Sequence, residues 1–456
     1  MISVRTLDEW LAFAGQQHAV GIDMGLERVA RVAEAMGFTA PDRRPAPRSI
    51  IVAGTNGKGS TTLFSESLLL AAGLKVGATI SPHVHRFNER IRIDGREADD
   101  AMLCAGFEAV ESARGETTLT YFEYSALVAF WVFRNAGADV AVLEVGLGGR
   151  LDAMNLVGAD VAVITSIGLD HEAYLGSDLD GIGREKAGVM RPGRPVVAGT
   201  EVTDSVIATA GQLGCALRWM GRDFRVSQTA DSWCWSDATQ SFDHLAWGDL
   251  APYNCALAIA AVRELRPITS AMVRHALATA TLPGRLEAWR LRATLVLVDV
   301  AHNPAGAAFL AQLAAVRYPK RRFVVVLGML NDKDASGVPE ALGAMVSAWV
   351  CVPTRGPRGQ SGAELAGRLR LAASLGLPAS MVPQAPSVTV AETVTAGLER
   401  ALAEAGSVDG VLAFGSFSVV EDVRNVLLQE GAWHLSAAES ARGPGLSNAS
   451  IGGVGR

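Results

Sequence analysis

Residues 48–61 read Arg-Ser-Ile-Ile-Val-Ala-Gly-Thr-Asn-Gly-Lys-Gly-Ser-Thr. Arg48–Ala53 (RSIIVA) is a short apolar run without alternation, as expected of a strand buried on both faces of a parallel sheet. A glycine-rich turn, Gly54-Thr55-Asn56-Gly57-Lys58-Gly59-Ser60-Thr61, follows it. Leu63, Phe64, Ser67, Leu68 and Ala71 then recur at helical spacing, and Gly73 sits where a helix would stop. In a strand–turn–helix of this kind, glycines let backbone N–H groups approach phosphate oxygens, and the helix N-terminus adds roughly half a positive charge. Lys58 would neutralise the β/γ-phosphates of a nucleotide, and Ser60 or Thr61 would place a hydroxyl on Mg²⁺. The turn departs from GxxxxGK[ST]: Val52 replaces the first glycine, and Gly59 intervenes between lysine and hydroxyl. Without its flanking strand and helix it would read as a plain glycine turn.

Working outward, Val76–Ile80 reads as the next strand, ending at Ser81-Pro82-His83, and Tyr124–Ala136 as a helix. Asp139–Val145 (DVAVLEV) and Asp160–Ser166 (DVAVITS) are further buried-strand runs. Alternating strands and helices imply a parallel sheet flanked by helices. A second β/α series begins near Thr294, with strands expected at Thr294–Val300, Arg322–Leu327, Ala348–Val352 and Gly410–Phe414 and a helix at Ala305–Val316. Leu282-Pro283-Gly284-Arg285 punctuates the join. The expected architecture is therefore α/β: an N-terminal P-loop-containing parallel-sheet ATPase domain over 1–283 and a smaller Rossmann-like α/β domain over 284–438. Ser227–Gly248, with Trp233, Trp235 and Trp247 among Ser and Asp, reads as a small irregular insertion, and Glu439–Arg456 as a disordered tail.

Composition fits a large globular protein: 456 residues, 49% hydrophobic and 19% charged, more than the roughly 150 residues of one domain. The net charge of −6 argues against nucleic acid as a partner, so anionic substrates must meet local cationic sites. No apolar run reaches the ~18 residues of a membrane span. The N-terminus lacks a signal-peptide pattern, and the five cysteines include no CxxC pair; together these point to the cytoplasm.

Ser81, Glu144 and His171 each fall at or just past the end of an expected strand, and in a parallel sheet those ends converge on one crevice. A carboxylate and a hydroxyl, with water or phosphate in the other positions, suit Mg²⁺. Taken singly, Ser81 would be a cap, Glu144 a solvated acid and His171 a turn residue beside Asp170. Gly146-Leu147-Gly148-Gly149-Arg150-Leu151 mimics a dinucleotide fingerprint, but Leu151 stands where the third glycine belongs; a tight turn that lets Glu144 face the phosphates is preferred. Lys186, in GREKAG (Gly183–Gly188), would on composition lie on a solvated helix surface, paired with Glu185 or Asp180. Asp299-Val300-Ala301-His302-Asn303-Pro304 puts an acid, a histidine and an amide at a strand's carboxyl end, although Asn303 also suits a helix N-cap.

Together, Gly54–Thr61, Ile80–His83, Leu143–Asn155 (LEVGLGGRLDAMN), Thr165–His171 (TSIGLDH), Gly183–Gly188, Leu282–Arg285, Asp299–Pro304 and Gly328–Asp334 (GMLNDKD) resemble the bifunctional dihydrofolate synthase/folylpolyglutamate synthase family of the Mur ligase superfamily. The match runs in order from about Trp10 to about Val426. It implies an ATP- and Mg²⁺-dependent ligase that joins L-glutamate to dihydropteroate and to tetrahydrofolate; the expected partners are these small molecules, and a monomer is expected although the sequence does not give the oligomeric state. By the same resemblance, Gly54–Thr61 hold the ATP phosphates. Asn254, Arg285 and Asp299, with His302 beside the last, hold the nucleotide. Ser81, Glu144, His171 and Lys186 serve two Mg²⁺ ions, Lys186 as a carbamate; Lys58, Lys186 and His171 form the catalytic set. Asp23-Met24-Gly25-Leu26, Thr120-Tyr121-Phe122-Glu123 and Leu151-Asp152-Ala153 match dihydropteroate-binding segments, which argues against a polyglutamylation-only enzyme. Tyr174 and Cys255 depart from the family's usual residues, and neither removes a proposed ligand. A cell-wall Mur ligase is disfavoured because about 47 residues precede the first strand, too few for a UDP-binding domain. A nucleotide-dependent switch protein is disfavoured by the second acid–histidine site at Asp299–His302.

Overall fold

The computed structural model describes residues 5–229, 232–248, 250–376, 386–405 and 409–435; the tail expected from Glu439 lies outside them. The chain forms two compact units, Met1–Leu282 and Pro283–Arg456.

The first unit is built on eight strands: β1 (Arg48–Ala53), β2 (Val76–Thr79), β3 (Ile91–Ile93), β4 (Arg96–Glu97), β5 (Val140–Glu144), β6 (Val161–Ile164), β7 (Val196–Ala198) and β8 (Leu217–Trp219). They lie in the order β4-β3-β2-β5-β1-β6-β7-β8. The glycine-turn strand β1 is central, parallel to β5 on one side and β6 on the other. Its lack of alternation has a direct cause. Ile51 and Ala53 enter a core on one face with the helix Tyr121–Ala136, while Ile50 and Val52 enter a second core with Lys58–Ala71 and Pro252–Arg263. Strands β5 and β6 divide in the same way. Burying each such aliphatic side chain contributes about 1.5–3 kcal/mol, so both faces hold the strand in place. Only the edge departs from the parallel expectation: β2, β3 and β4 form an antiparallel meander.

The Ser227–Gly248 region is not irregular. β9 (Phe224–Gln228), β10 (Trp233–Asp237) and β11 (Ser241–Leu245) form a three-stranded antiparallel sheet. Trp233 and Trp235 are fully buried on one face, and Trp235 lies between Phe224 and Phe242 at centroid distances of 6.0 and 5.6 Å. The helix expected from Tyr124 starts a turn earlier, at Tyr121, because Thr120 and Glu123 make a reciprocal capping box.

The second unit carries β12 (Glu287–Leu291), β13 (Thr294–Asp299), β14 (Phe323–Leu327), β15 (Val346–Cys351), β16 (Ser387–Val390), β17 (Gly410–Phe414) and β18 (Trp433–Leu435). Their order is β16-β15-β14-β17-β13-β12-β18, parallel from β16 to β13 and antiparallel at β12 and β18. Among the described residues, no helix is long and apolar enough to cross a membrane.

Candidate active site

The phosphate-type loop is held from the neighbouring strand. At the end of β6, the Thr165 hydroxyl donates to the Asn56 carbonyl (2.6 Å), and the Asn56 N–H donates to the Ser166 Oγ (3.0 Å). The Thr55 hydroxyl donates to the Gly168 carbonyl (3.0 Å), and the Thr55 N–H to the Ser166 carbonyl (2.9 Å). Gly54 is obligatory: at φ +149°, a Cβ would stand 1.9 Å from the Thr165 Oγ1. Lys58 opens the helix Lys58–Ala71, and its ammonium donates to the Gly54 and Thr55 carbonyls (3.0 and 3.2 Å). Ser60 and Thr61 are buried in the first helical turn, and the Thr61 hydroxyl has no hydrogen-bond partner among the described residues. Asn254 packs on the loop, its Oδ1 2.4 Å from where a Gly57 Cβ would stand, although it lies some 200 positions along the chain, 254 against 57.

Glu144 ends β5 and is only 3% exposed. Its Oε2 accepts the Ser81 N–H (2.8 Å) and lies 3.4 Å from where a Gly59 Cβ would stand. Ser81, Glu144 and the loop therefore meet. His171 follows β6 in the left-handed region (φ 53°), and its N–H is tied to the Asp170 Oδ1 (2.8 Å). Among the described residues, no three His, Cys, Asp or Glu side chains converge into a metal-holding group. Glu144 brings a carboxylate to the loop, and a carboxylate suits Mg²⁺, which keeps several positions for phosphate and water.

Lys186 is not on a solvated surface. It is 3% exposed in the last turn of the helix Leu179–Ala187, and it makes no ion pair among the described residues. The partners offered for a surface pair are engaged elsewhere: Glu185 with Arg150 (2.8 Å), Asp180 with Arg184 (3.2 Å) and the Ser205 N–H (2.8 Å). Burial, with a smaller push from Lys58, lowers the Lys186 ammonium to about 7, and Asp170 partly opposes this. The turn Gly146–Gly149 makes the burial possible, since a Cβ on Gly149 would stand 2.6 Å from the Glu185 carbonyl. The glycines thus seat a helix backbone, consistent with a tight turn and not a dinucleotide fingerprint.

The three segments matched to pteroate binding are linked. Arg28 donates to the Asp23 carboxylate (2.6 Å) and to Glu123 (3.1 Å), and His18 bridges Asp23 (3.0 Å) and the Thr118 hydroxyl (2.9 Å). The Phe122 ring covers Gly146, and Met24 approaches Gly148. Leu26 caps the helix Glu27–Ala35, Gly25 sits against Glu27, and Ala153 opens a 3-10 turn after Leu151 and Asp152. Asp152 is a buried anchor, accepting the N–H groups of Gly146, Leu147 and Met154 (each 2.9 Å). Burial raises its pKa to about 6 despite those donors. Asp152→Ala should lower stability by about 2–4 kcal/mol, because buried donors are left without an acceptor; urea denaturation reads this, and a loss under 0.5 kcal/mol would deny the anchor role.

In the second unit, Val300 N–H donates to the Gly284 carbonyl (2.9 Å), joining LPGR to DVAHNP. Asp299 accepts from Leu286 and Ala301 N–H (2.7 Å each); burial raises its pKa, and Arg285 opposes this. The Arg285 guanidinium lies 5.8 Å from the Phe417 ring, and the His302 Nδ1 donates to the Val300 carbonyl (2.8 Å). Asn303 caps the helix Pro304–Arg317. Sequence reasoning missed Thr165, Ser166 and Asp170 as site residues; the signal was present in short polar groups at the end of a strand next to β1.

This assembly, a phosphate loop on a central parallel strand with the buried Glu144 at its rim, defines a Mur-type ligase. The Mur ligase middle domain model matches residues 52–194, and the model described as Mur ligase, glutamate ligase domain, matches 284–417. The Escherichia coli dihydrofolate synthase/folylpolyglutamate synthase is 40% identical over 92% of this chain and 95% of its own length. The structure of E. coli FolC in complex with DHPP and ADP superposes with a TM-score of 0.85 at 39% identity, covering 93% of this chain and 98% of that one. The Yersinia pestis bifunctional folylpolyglutamate synthase/dihydrofolate synthase complexed with AMPPNP and Mn ion gives a TM-score of 0.83 at 38% identity, with the same coverage. The chain belongs to the dihydrofolate synthase/folylpolyglutamate synthase family.

Proposed function

We propose that this protein is an ADP-forming ligase that joins L-glutamate to 7,8-dihydropteroate, making dihydrofolate, and extends tetrahydrofolate with further glutamates. The observation that carries this reading is the meeting of Glu144, Ser81 and Asn254 at the phosphate loop, beside a Lys186 buried without an ion pair and the linked pteroate segments. The ADP, DHPP and AMPPNP held by the relatives support it.

A carboxylate is a poor electrophile near neutral pH, so the reaction requires an activated acyl group. The substrate carboxylate attacks the γ-phosphorus of ATP, ADP leaves, and an acyl phosphate forms. The glutamate amine then attacks the acyl carbon, and phosphate departs. The protein's own groups position and neutralise: the loop N–H groups and Lys58 oppose phosphoryl charge, and Asn254, Arg285, Asp299 and His302 fix the nucleotide. Ser81, Glu144, His171 and carbamylated Lys186 would hold two Mg²⁺ ions, which when bound neutralise the polyphosphate. Orientation of the reactants can supply ~7–11 kcal/mol of the barrier. The protein acts in this reading as a cytoplasmic monomer on small molecules.

Purified protein should release phosphate from ATP only with glutamate and dihydropteroate both present, with dihydrofolate as the product by chromatography. Glutamate-independent hydrolysis without amide product would overturn the ligase reading. Extension of tetrahydrofolate without dihydrofolate synthesis would narrow it to polyglutamylation.

A further inference from the structure

The segment between Ser81 and β3 carries a cation that the proposed machinery leaves unused. Arg90 ends the 3-10 turn Phe87–Arg90, and its carbonyl accepts the Ile80 N–H (3.0 Å), which sets it opposite the strand end that leads to Ser81. Its side chain is half-buried. Tyr121, Glu144 and Glu89 are the groups that oppose the effect of this burial on its charge. The ring centroids of Tyr121 and Phe87 lie 5.6 and 6.0 Å from it.

The adjacent acid, Glu89, makes no hydrogen bond to it. Both Glu89 carboxylate oxygens are occupied by backbone donors, the N–H groups of Val84 (2.8 Å), His85 (2.8 Å) and Arg86 (2.9 Å). Among the described residues, the hydrogen bond from the Arg90 side chain goes to a neutral-type acceptor, the His83 Nδ1 (2.7 Å), and none goes to a carboxylate. The guanidinium therefore keeps donors that no described residue fills, and they are available to a ligand. Its planar fork matches the two oxygens of a carboxylate, and enclosed surroundings strengthen the pairing.

The position selects which carboxylate. Tyr121 belongs to a pteroate-matched segment, and Glu144 touches the phosphate loop at Gly59. The group that must lie between the pteroate ring system and the γ-phosphate is the aryl carboxylate that becomes phosphorylated. We propose that Arg90 binds this benzoate-type carboxylate and aims one oxygen at the phosphorus, with His83 as a positioning residue that fixes the guanidinium plane. The proposal rests on the ligase reading above and adds a substrate contact to it.

The test compares, by calorimetry with Mg²⁺ and AMPPNP, binding of pteroate and of its analogue with hydrogen in place of the carboxyl. Wild-type protein should prefer the acid by about 10- to 100-fold, as a charge-assisted fork implies. Arg90→Met should lose that preference while AMPPNP affinity stays unchanged. Arg90→Lys, which keeps the charge and loses the fork, should raise the dihydropteroate KM about tenfold and carries the test if Arg90→Met does not fold. His83→Leu should raise the same KM without changing AMPPNP affinity, and His83→Gln, with an amide oxygen to accept, should restore it. An active wild type whose acid preference survives in the Arg90 variants would overturn this proposal alone; a wild type that binds no pteroate would overturn the ligase reading and this proposal with it.

Discussion

Lys58→Ala is expected to lower turnover by at least about 10²- to 10³-fold while leaving the fold intact. The chemistry requires a cation where negative charge moves from ATP to the acyl phosphate and ADP, and Lys58 is the cation carried by the loop itself. A lysine at a helix N-terminus works against the helix dipole, so stability does not explain its placement. Its ammonium bonds the Gly54 and Thr55 carbonyls, but the loop is also held from the neighbouring strand. Thr165, Ser166 and Gly168 hold Thr55 and Asn56 through four hydrogen bonds that the substitution leaves in place. Circular dichroism and thermal melting should therefore match the wild type. Near-normal turnover in a folded Lys58→Ala protein would show that the phosphates bind elsewhere.

The first strand and its turn were legible because their signal is local: a strand buried on both faces has no polar positions to reveal a face, and glycines mark where backbone must approach a ligand. The ends of β5 and β6 were legible for the same reason, with Glu144 as the last residue of β5. The order of the strands was not, since it follows from which apolar faces find each other across the chain. β10 was misread although its two tryptophans alternate with Cys234 and Ser236; the Ser and Asp around them hid a period of two with one buried face. Arg90 was missed because its meaning depends on the antiparallel turn from β2 to β3, which carries its carbonyl back to the Ile80 N–H, next to Ser81. Lys186 is the sharpest case. Between charged neighbours it looked solvated, yet it is buried, and the bare backbone of Gly149 packs directly on its helix.

That enclosure leads to the second large effect: Lys186→Ala should be nearly inactive, and added short-chain carboxylates should restore part of the activity. A plain ammonium at this place would be opposed by burial and by Lys58, and would repel metal ions beside the phosphates. Reaction of the neutral amine with CO₂ forms a new N–C bond, releases one proton and leaves a carbamate, whose two anionic oxygens suit Mg²⁺. The neutral amine is accessible because the ammonium is lowered to about 7. The sign of the pH dependence follows. Between about 7 and the ordinary lysine value the unfolded chain binds the extra proton, so this group's effect on stability improves as pH rises through that window, and the burial of its ammonium is a cost below it. Activity limited by the carbamate should accordingly fall as pH drops below about 7, and bicarbonate should slow the fall. Lys186→Arg, permanently charged and unable to react, should be as inactive as Lys186→Ala and, unlike it, should gain nothing from added acetate or propionate. Mass spectrometry under non-acidic conditions should find one CO₂ on the wild type and none on either variant. A fully active Lys186→Ala protein would remove the carbamate from the mechanism.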